Sequence, residues 1–407
     1  MVPARRCLLS LSSSSSLRPS LAKAFVSASS SPRSYSSPAA PTTKRKLNLP
    51  IDLNASSYLA QTPQQALSLP ELPDSVKSSK TKRLNLYQAI NDGLSTILET
   101  DPKSLIFGED VSFGGVFRCT TTLLDRFGSQ RVFNTPLTEQ GIMGFAIGLS
   151  GSGYTALPEI QFADYLFPAF DQLHNEASKW RYRSGGAESF NSGNLVVRMP
   201  CGAVGHGGLY HSQSPEGFFL GMQGVKVVIP RGPIQAKGLL IAAARAGDPI
   251  VFMEPKILYR GAIEEVPVGE YELPIGKAEV LQKGKDVTLV SYGTLVYTCE
   301  MAAKAAKEKL GVEVEVIDLR TVHPWDKKTV VDSVNKTGRC VVVHEASRTG
   351  GIGESVGAEV QERCFLRLEA PVTRITGWDT PMPLVFESLI VPDVARIFDG
   401  IKRVIEY

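Results

Sequence analysis

Residues 225–254 read VKVVIPRGPIQAKGLLIAAARAGDPIVFME, and their spacing predicts a strand over 225–229, a helix over 233–245 and a second strand over 249–254. The flanking runs are short and mostly apolar, as strands buried on both faces are, while the central run is long enough for three helical turns. Pro233 falls near the helix start, where its missing N–H costs least, and Gly247 follows the helix end. Strand, crossover helix and strand in this order form one unit of a parallel sheet.

The same alternation extends in both directions. Upstream, residues 194–199, 155–162 and 104–107 read as extended, 164–183 as helical, and 85–100 as a helix with Tyr87, Ile90, Leu94, Ile97 and Leu98 on one face, ended by Asp101-Pro102. Downstream, a weakly periodic stretch from Gly261 to about Lys277 separates a second block. There 286–291, 312–319 and 339–344 read as strands and 296–310 as a helix stopped by Gly311. The expected fold class is α/β, with two three-layer domains of largely parallel sheets over residues 83–265 and 275–407.

Composition narrows the function. The net charge of +3 is small, and Arg5, Arg6, Arg18, Lys23, Arg33, Lys44, Arg45 and Lys46 precede the first carboxylate, Asp52. The remainder is nearly balanced, so nucleic-acid binding has no electrostatic support. A Ser-, Ala- and Arg-rich, acid-free leader over 1–46 predicts a mitochondrial transit peptide, with a processing site near Arg33-Ser34-Tyr35-Ser36 and the matrix as destination. No membrane span is expected, because the apolar runs there are too short to cross a bilayer. Residues 47–82 are expected as a linker or loosely docked arm, having no sustained apolar period. The six cysteines show no C-x-x-C pair and are expected as free thiols; no zinc site is expected either.

Three runs could carry chemistry. In Asn134-Thr135-Pro136-Leu137-Thr138-Glu139-Gln140-Gly141-Ile142-Met143-Gly144, Thr138 can cap a helix whose first turns hold Glu139, Gly141 and Gly144, so that another surface could approach closely. A carboxylate at that position can equally do no more than complement the helix dipole. The run from Glu159 to Gln172 places Tyr165 just beyond a strand's carboxyl end, where ligands of α/β sheets gather. The loop Gly205-His206-Gly207-Gly208-Leu209-Tyr210-His211-Ser212-Gln213-Ser214-Pro215-Glu216 offers two histidines, side chains suited to proton exchange near neutrality, on a glycine-rich backbone. The residues alone do not choose between His206 and His211.

Taken with Phe107-Gly108-Glu109-Asp110-Val111, Gly114-Gly115-Val116-Phe117-Arg118-Cys119 and Glu254-Pro255-Lys256-Ile257-Leu258-Tyr259-Arg260, these runs resemble, in order and spacing across about 83–407, the beta subunits of branched-chain 2-oxo acid dehydrogenases. That resemblance implies a transketolase-like pyrimidine-binding domain followed by a transketolase C-terminal domain. It also implies thiamine diphosphate shared with an alpha subunit in a two-alpha, two-beta heterotetramer, with magnesium held by the alpha subunit. By resemblance Glu139 hydrogen-bonds the aminopyrimidine ring, Tyr165 and Leu137 contact the cofactor, and His211 assists acyl transfer to the lipoyl group of a dihydrolipoyl acyltransferase core. His206 would then shape the loop. The implied substrates are branched-chain 2-oxo acids. A potassium ion on the carbonyls of Gly193, Leu195, Val196, Ala243, Ala246 and Asp248 is implied as well, although Gly186-Ala187-Glu188-Ser189 lengthens the preceding loop. No Gly-Asp-Gly run followed by asparagines is present to bind magnesium diphosphate, so the chain would supply half a site. The rival readings are a pyruvate-type beta subunit and a non-catalytic assembly subunit.

Overall fold

The computed structural model describes residues 51–185 and 193–407. The leader 1–46 and the loop 186–189 lie outside these residues. The strands are β1 (Thr81–Asn85), β2 (Ser104–Gly108), β3 (Val132–Asn134), β4 (Thr155–Glu159), β5 (Asn194–Cys201), β6 (Lys226–Val228), β7 (Ile250–Pro255), β8 (Ile263–Pro267), β9 (Glu279–Gln282), β10 (Val287–Ser291), β11 (Val314–Asp318), β12 (Thr321–His323), β13 (Cys340–His344) and β14 (Thr373–Thr376).

A seven-stranded sheet runs in the order β12-β6-β7-β5-β4-β2-β3 and a five-stranded one in the order β14-β13-β10-β11-β9. Each is parallel except for one antiparallel edge strand, β12 in the first and β9 in the second. Central strands β4, β5, β7, β10 and β13 are buried nearly throughout, as strands covered on both faces must be. β1 and β8 form a separate antiparallel pair.

The helix expected over 85–100 spans Leu86–Thr100, where Asn85 and Gln88 form a capping box that satisfies two N–H groups of the first turn. It packs on the Pro233–Ala244 helix. The second helix is buried on almost every side, so Lys237 within it needs partners and finds Asp92 (2.7 Å) and the Pro267 carbonyl (3.0 Å). Gly311 ends the Leu295–Leu310 helix in the left-handed conformation.

Three features depart from expectation. Residues 51–82 are docked: Ile51, Leu53, Tyr58, Ala66, Leu72 and Val76 are buried. Ser57 donates its N–H to Glu300 (2.7 Å), while Glu71 accepts from Arg320 at 2.5 and 2.8 Å. Those apolar residues follow no single period because they bury one by one along a surface, not on one helical face. The 164–183 region is not one helix. It consists of 3-10 turns at Ala163–Tyr165 and Phe167–Ala169, a π turn at Gln172–Ala177 and an α-helix at Ser178–Arg183, and Pro168 lacks the N–H that a continuous ladder would use. Finally, β12, from the C-terminal part of the chain, completes the edge of the N-terminal sheet, so the C-terminal part lends a strand to the first sheet.

Beneath the carboxyl edge of the large sheet, Arg198 of β5 is 1% exposed and bridges Glu159 of β4 (2.8 Å) and Glu254 of β7 (2.8 and 3.1 Å). Tyr259 donates its hydroxyl to Glu254 (2.5 Å), and Gly115, with φ +71°, lies so near that a Cβ there would stand 2.8 Å from Glu159 Oε1. Removing the cation would strand two buried carboxylates, and R198M is expected to cost about 3–5 kcal/mol in urea unfolding.

Candidate functional site

The site grows from one geometric fact. β7, β5, β4, β2 and β3 are adjacent and parallel, so the segments leaving their carboxyl ends emerge side by side. From β2 comes Glu109, from β3 the run to Thr138 and Glu139, from β4 Phe162 to Tyr165, from β5 the loop carrying His211, and from β7 Lys256. Gly108, at φ +151°, packs so closely on the Glu159 carbonyl that a side chain there would collide with it.

Thr138 caps the Glu139–Gly151 helix by accepting from the Gly141 N–H at 3.3 Å. Glu139 thus stands in the first turn, where the unpaired N–H groups favour negative charge. It is half-buried, and neighbouring Leu137 is 87% exposed. Glu109 leaves the adjacent strand β2, near enough to feel the charge of Glu139. Burial, with Glu139 and Asp110 next in effect, raises the Glu109 carboxyl above its ordinary range, and Glu109 Oε1 is buried without a hydrogen-bond partner. Two carboxylates within electrostatic reach of each other, one with an orphaned oxygen, form a site that can hold a proton. Glu109 belongs to a run that the sequence offers only as a family marker, and no sequence spacing pairs it with Glu139.

Tyr165 and His211 do meet: Tyr165 Oη lies 3.3 Å from His211 Nε2, and Phe162 packs edge-on against both rings. His211 is exposed, as is His206. The turns Phe167–Ala169 and Gln172–Ala177 pack against the Glu139–Gly151 helix, and Tyr165 lies two residues before the first of them. Behind Phe162 lies Lys256, only 4% exposed, with Nζ 5.8 Å from the Phe162 centroid and no hydrogen-bond partner; burial lowers its pKa. Among the described residues, no group of three or more His, Cys, Asp or Glu is placed to hold a metal ion. The described cysteines, Cys119, Cys201, Cys299, Cys340 and Cys364, are buried and free; Cys7 lies outside the described residues.

The segments proposed around potassium lie elsewhere, at the amino-terminal ends of β5 and β7, on the sheet edge opposite Glu139. They touch each other: Gly247 N–H donates to Asn194 Oδ1 at 3.0 Å, and Gly193 has φ +68°. Leu195 and Val196 lie within the strand ladder, Ala243 O accepts from Ala246 N–H (3.2 Å), and Asp248 is held by Arg181 and by Lys226 (2.7 Å).

The chain matches the family model "Transketolase, pyrimidine binding domain" over residues 82–262 and "Transketolase, C-terminal domain" over 276–397. It superposes on a split-gene transketolase described as an inactive beta4 tetramer with TM-score 0.61, at 21% identity over 80% of this chain and 99% of that one. A transketolase from Pichia stipitis gives 0.57 at 11% identity, over 82% of this chain and 48% of that one. These likenesses define a transketolase-like fold of two α/β domains. Sequence narrows the class: the chain is 64% identical over 351 residues (86% of it, 75% of the relative) to the mitochondrial 2-oxoisovalerate dehydrogenase subunit beta of Chaetomium thermophilum. It is 54% identical to that of Dictyostelium discoideum, over 85% and 92%. The chain belongs to the 2-oxoisovalerate dehydrogenase beta-subunit family.

One carboxylate of this region has a pH signature. Glu345, at the end of β13, accepts through one oxygen from the Ala203 N–H and from Ser214 Oγ (3.1 Å), and burial pushes its pKa up to about 7. A raised folded-state carboxyl pKa adds stability below its unfolded value of 4.5 and loses it as pH climbs toward 7. A glutamine at this position keeps both hydrogen bonds but not the titration. The melting temperature of wild type relative to E345Q should therefore fall between pH 5 and pH 8.

Proposed function

We propose that this chain supplies the pyrimidine half of a thiamine diphosphate site completed by an alpha subunit, and that the assembled two-alpha, two-beta enzyme decarboxylates branched-chain 2-oxo acids and passes the acyl group to lipoamide. The observation that carries this reading is the Glu109–Glu139 pair with its orphaned oxygen, opening on an exposed apolar face. A nitrogen-bearing ring laid on that face would pair with the Glu139 carboxylate, with Glu109 nearby, and Leu137 would cover the ring. When bound, thiamine diphosphate supplies the acidic thiazolium carbon and the electron sink that 2-oxo acid decarboxylation needs.

The chain's own residues act around it. Glu139 holds a proton at the ring, Tyr165 orients the cofactor and the His211 imidazole, and His211 moves a proton during transfer to the lipoyl sulfur. The outer face of the Glu139–Gly151 helix supports a partner: Gly144, Gly148 and Phe145 are exposed, with open space at both glycines. A second chain could approach that backbone closely and bury Phe145 and Leu137. We assign magnesium and the diphosphate to the alpha subunit, lipoamide to an acyltransferase core, and the complex to the mitochondrial matrix. The mitochondrial relatives carry the 2-oxoisovalerate name; a pyruvate dehydrogenase beta subunit of Staphylococcus aureus is 45% identical, so substrate preference is the decisive assay.

The chain alone, given thiamine diphosphate and magnesium, should not decarboxylate 2-oxo acids, whereas co-expression with the alpha subunit should produce turnover that favours branched acids over pyruvate. In that complex E139Q should cut kcat by about 100-fold or more; unchanged turnover would leave an assembly role. Pyruvate preference would select the pyruvate-type reading.

Potassium on the carbonyls of Gly193, Leu195, Val196, Ala243, Ala246 and Asp248 is part of the same proposal. The end of the Pro233–Ala244 helix presents carbonyls that suit a hard cation. Replacing potassium by sodium at equal ionic strength should lower the melting temperature by a few degrees, on the order of a 1 kcal/mol loss. An unchanged melting temperature would remove the ion.

A further inference from the structure

The loop that carries His211 is held by groups that are remote in sequence. Among the described residues, no backbone hydrogen bond joins two residues of 203–212, and Gly205 and Gly208 adopt φ of +102° and +70°. Left to itself such a segment would sample many conformations. Three of its N–H groups, and that of Gln213 just after it, go to carboxylates instead. Glu345 takes the Ala203 N–H, Asp164 takes the Gln213 N–H at 3.1 Å, and Glu387 takes three donors. Glu387 Oε1 accepts from the Gly205 N–H, and Oε2 accepts from the Gly207 N–H (3.4 Å) and from Ser212 Oγ (3.3 Å).

Glu387 is 2% exposed and Ser212 fully buried, while His211, next in the chain, is exposed beside Tyr165. Lys256 lies beneath, its charge facing Asp164, Glu345 and Glu387. The loop also closes tightly on itself: a Cβ at Gly207 would stand 2.3 Å from Ser212 Oγ and 2.6 Å from the His211 carbonyl. A shift in any clamped N–H is therefore felt at His211.

We propose that Glu387, on the C-terminal domain, is a positioning residue for acyl transfer: it clamps the 205–212 loop and so keeps His211 against Tyr165. The inference rests on the proposed role of His211 and adds that the C-terminal domain sets the geometry of the second half-reaction. Both oxygens of Glu387 are used as acceptors. A glutamine offers only one acceptor, and its NH2 would face donors, so E387Q breaks one side of the clamp while keeping shape and volume.

The test uses the complex of this chain with its alpha subunit, assayed in two ways. Decarboxylation is followed with an artificial dye acceptor, and reductive acylation is followed on an isolated lipoyl domain. In E387Q, dye-coupled decarboxylation is expected within about twofold of wild type, while kcat for acylation falls about tenfold or more at unchanged KM, the size expected for a small misplacement of a reacting group. H211A should lower acylation too, and E387Q combined with H211A should be no worse than H211A alone. Equal loss of both half-reactions in E387Q would mean a merely structural role and overturn the proposal. Wild-type acylation in E387Q with impaired H211A would overturn it and leave His211 standing. Wild-type acylation in H211A would overturn the role of His211 and the clamp with it. Should E387Q fail to assemble, S212A decides: an acylation-selective loss of about threefold or more supports the clamp, and wild-type acylation rejects it.

Discussion

Arg198 is the interaction on which the active edge depends. A guanidinium at 1% exposure is tolerable only because Glu159 and Glu254 lie within 3.1 Å on the two neighbouring strands. The three residues tie the carboxyl ends of β4, β5 and β7 at one level, immediately below the segments that carry Tyr165, His211 and Lys256. Tyr259 and Gly115 then pack on the two carboxylates. Rigid strand ends let the loops above them be irregular without being vague, and irregular backbone is what points side chains of distant segments at one another.

The two domains behave as one device for a related reason. The arm over 51–82 buries apolar residues on the first domain while Ser57 and Glu71 reach Glu300 and Arg320 of the second. β12 crosses in the other direction to complete the larger sheet. Glu345 and Glu387 then bring the C-terminal domain to the histidine loop. In the crossings made by Glu300, Glu71, Glu345 and Glu387 the charged group satisfies a backbone N–H or an opposite charge, which makes the interface costly to open at a single point.

What was legible in the sequence followed repeating local patterns. The helix over Leu86–Thr100, the strands β5, β7, β10 and β13 and the stop at Gly311 were readable because burial on one face or two, and the need for φ > 0 at a helix end, leave periodic or single-residue marks. Thr138 as a cap was readable for the same reason. The break-up of 164–183 was not, because over segments this short the differing periods of 3-10, π and α turns leave no separate mark. Nor was the docking of 51–82, whose apolar residues bury one at a time.

The sequence by itself therefore determined the two-domain α/β class, the helix that starts at Glu139 and, through its runs of motif residues, the family. Only the tertiary structure decided that Glu109 comes within reach of the Glu139 charge, that Tyr165 Oη lies 3.3 Å from His211 Nε2, and that Glu387 holds a loop 175 residues away in the chain. Hydrophobic period is written residue by residue along the chain, whereas a carboxylate finds its donor only after the sheets have twisted, packed and brought their ends together.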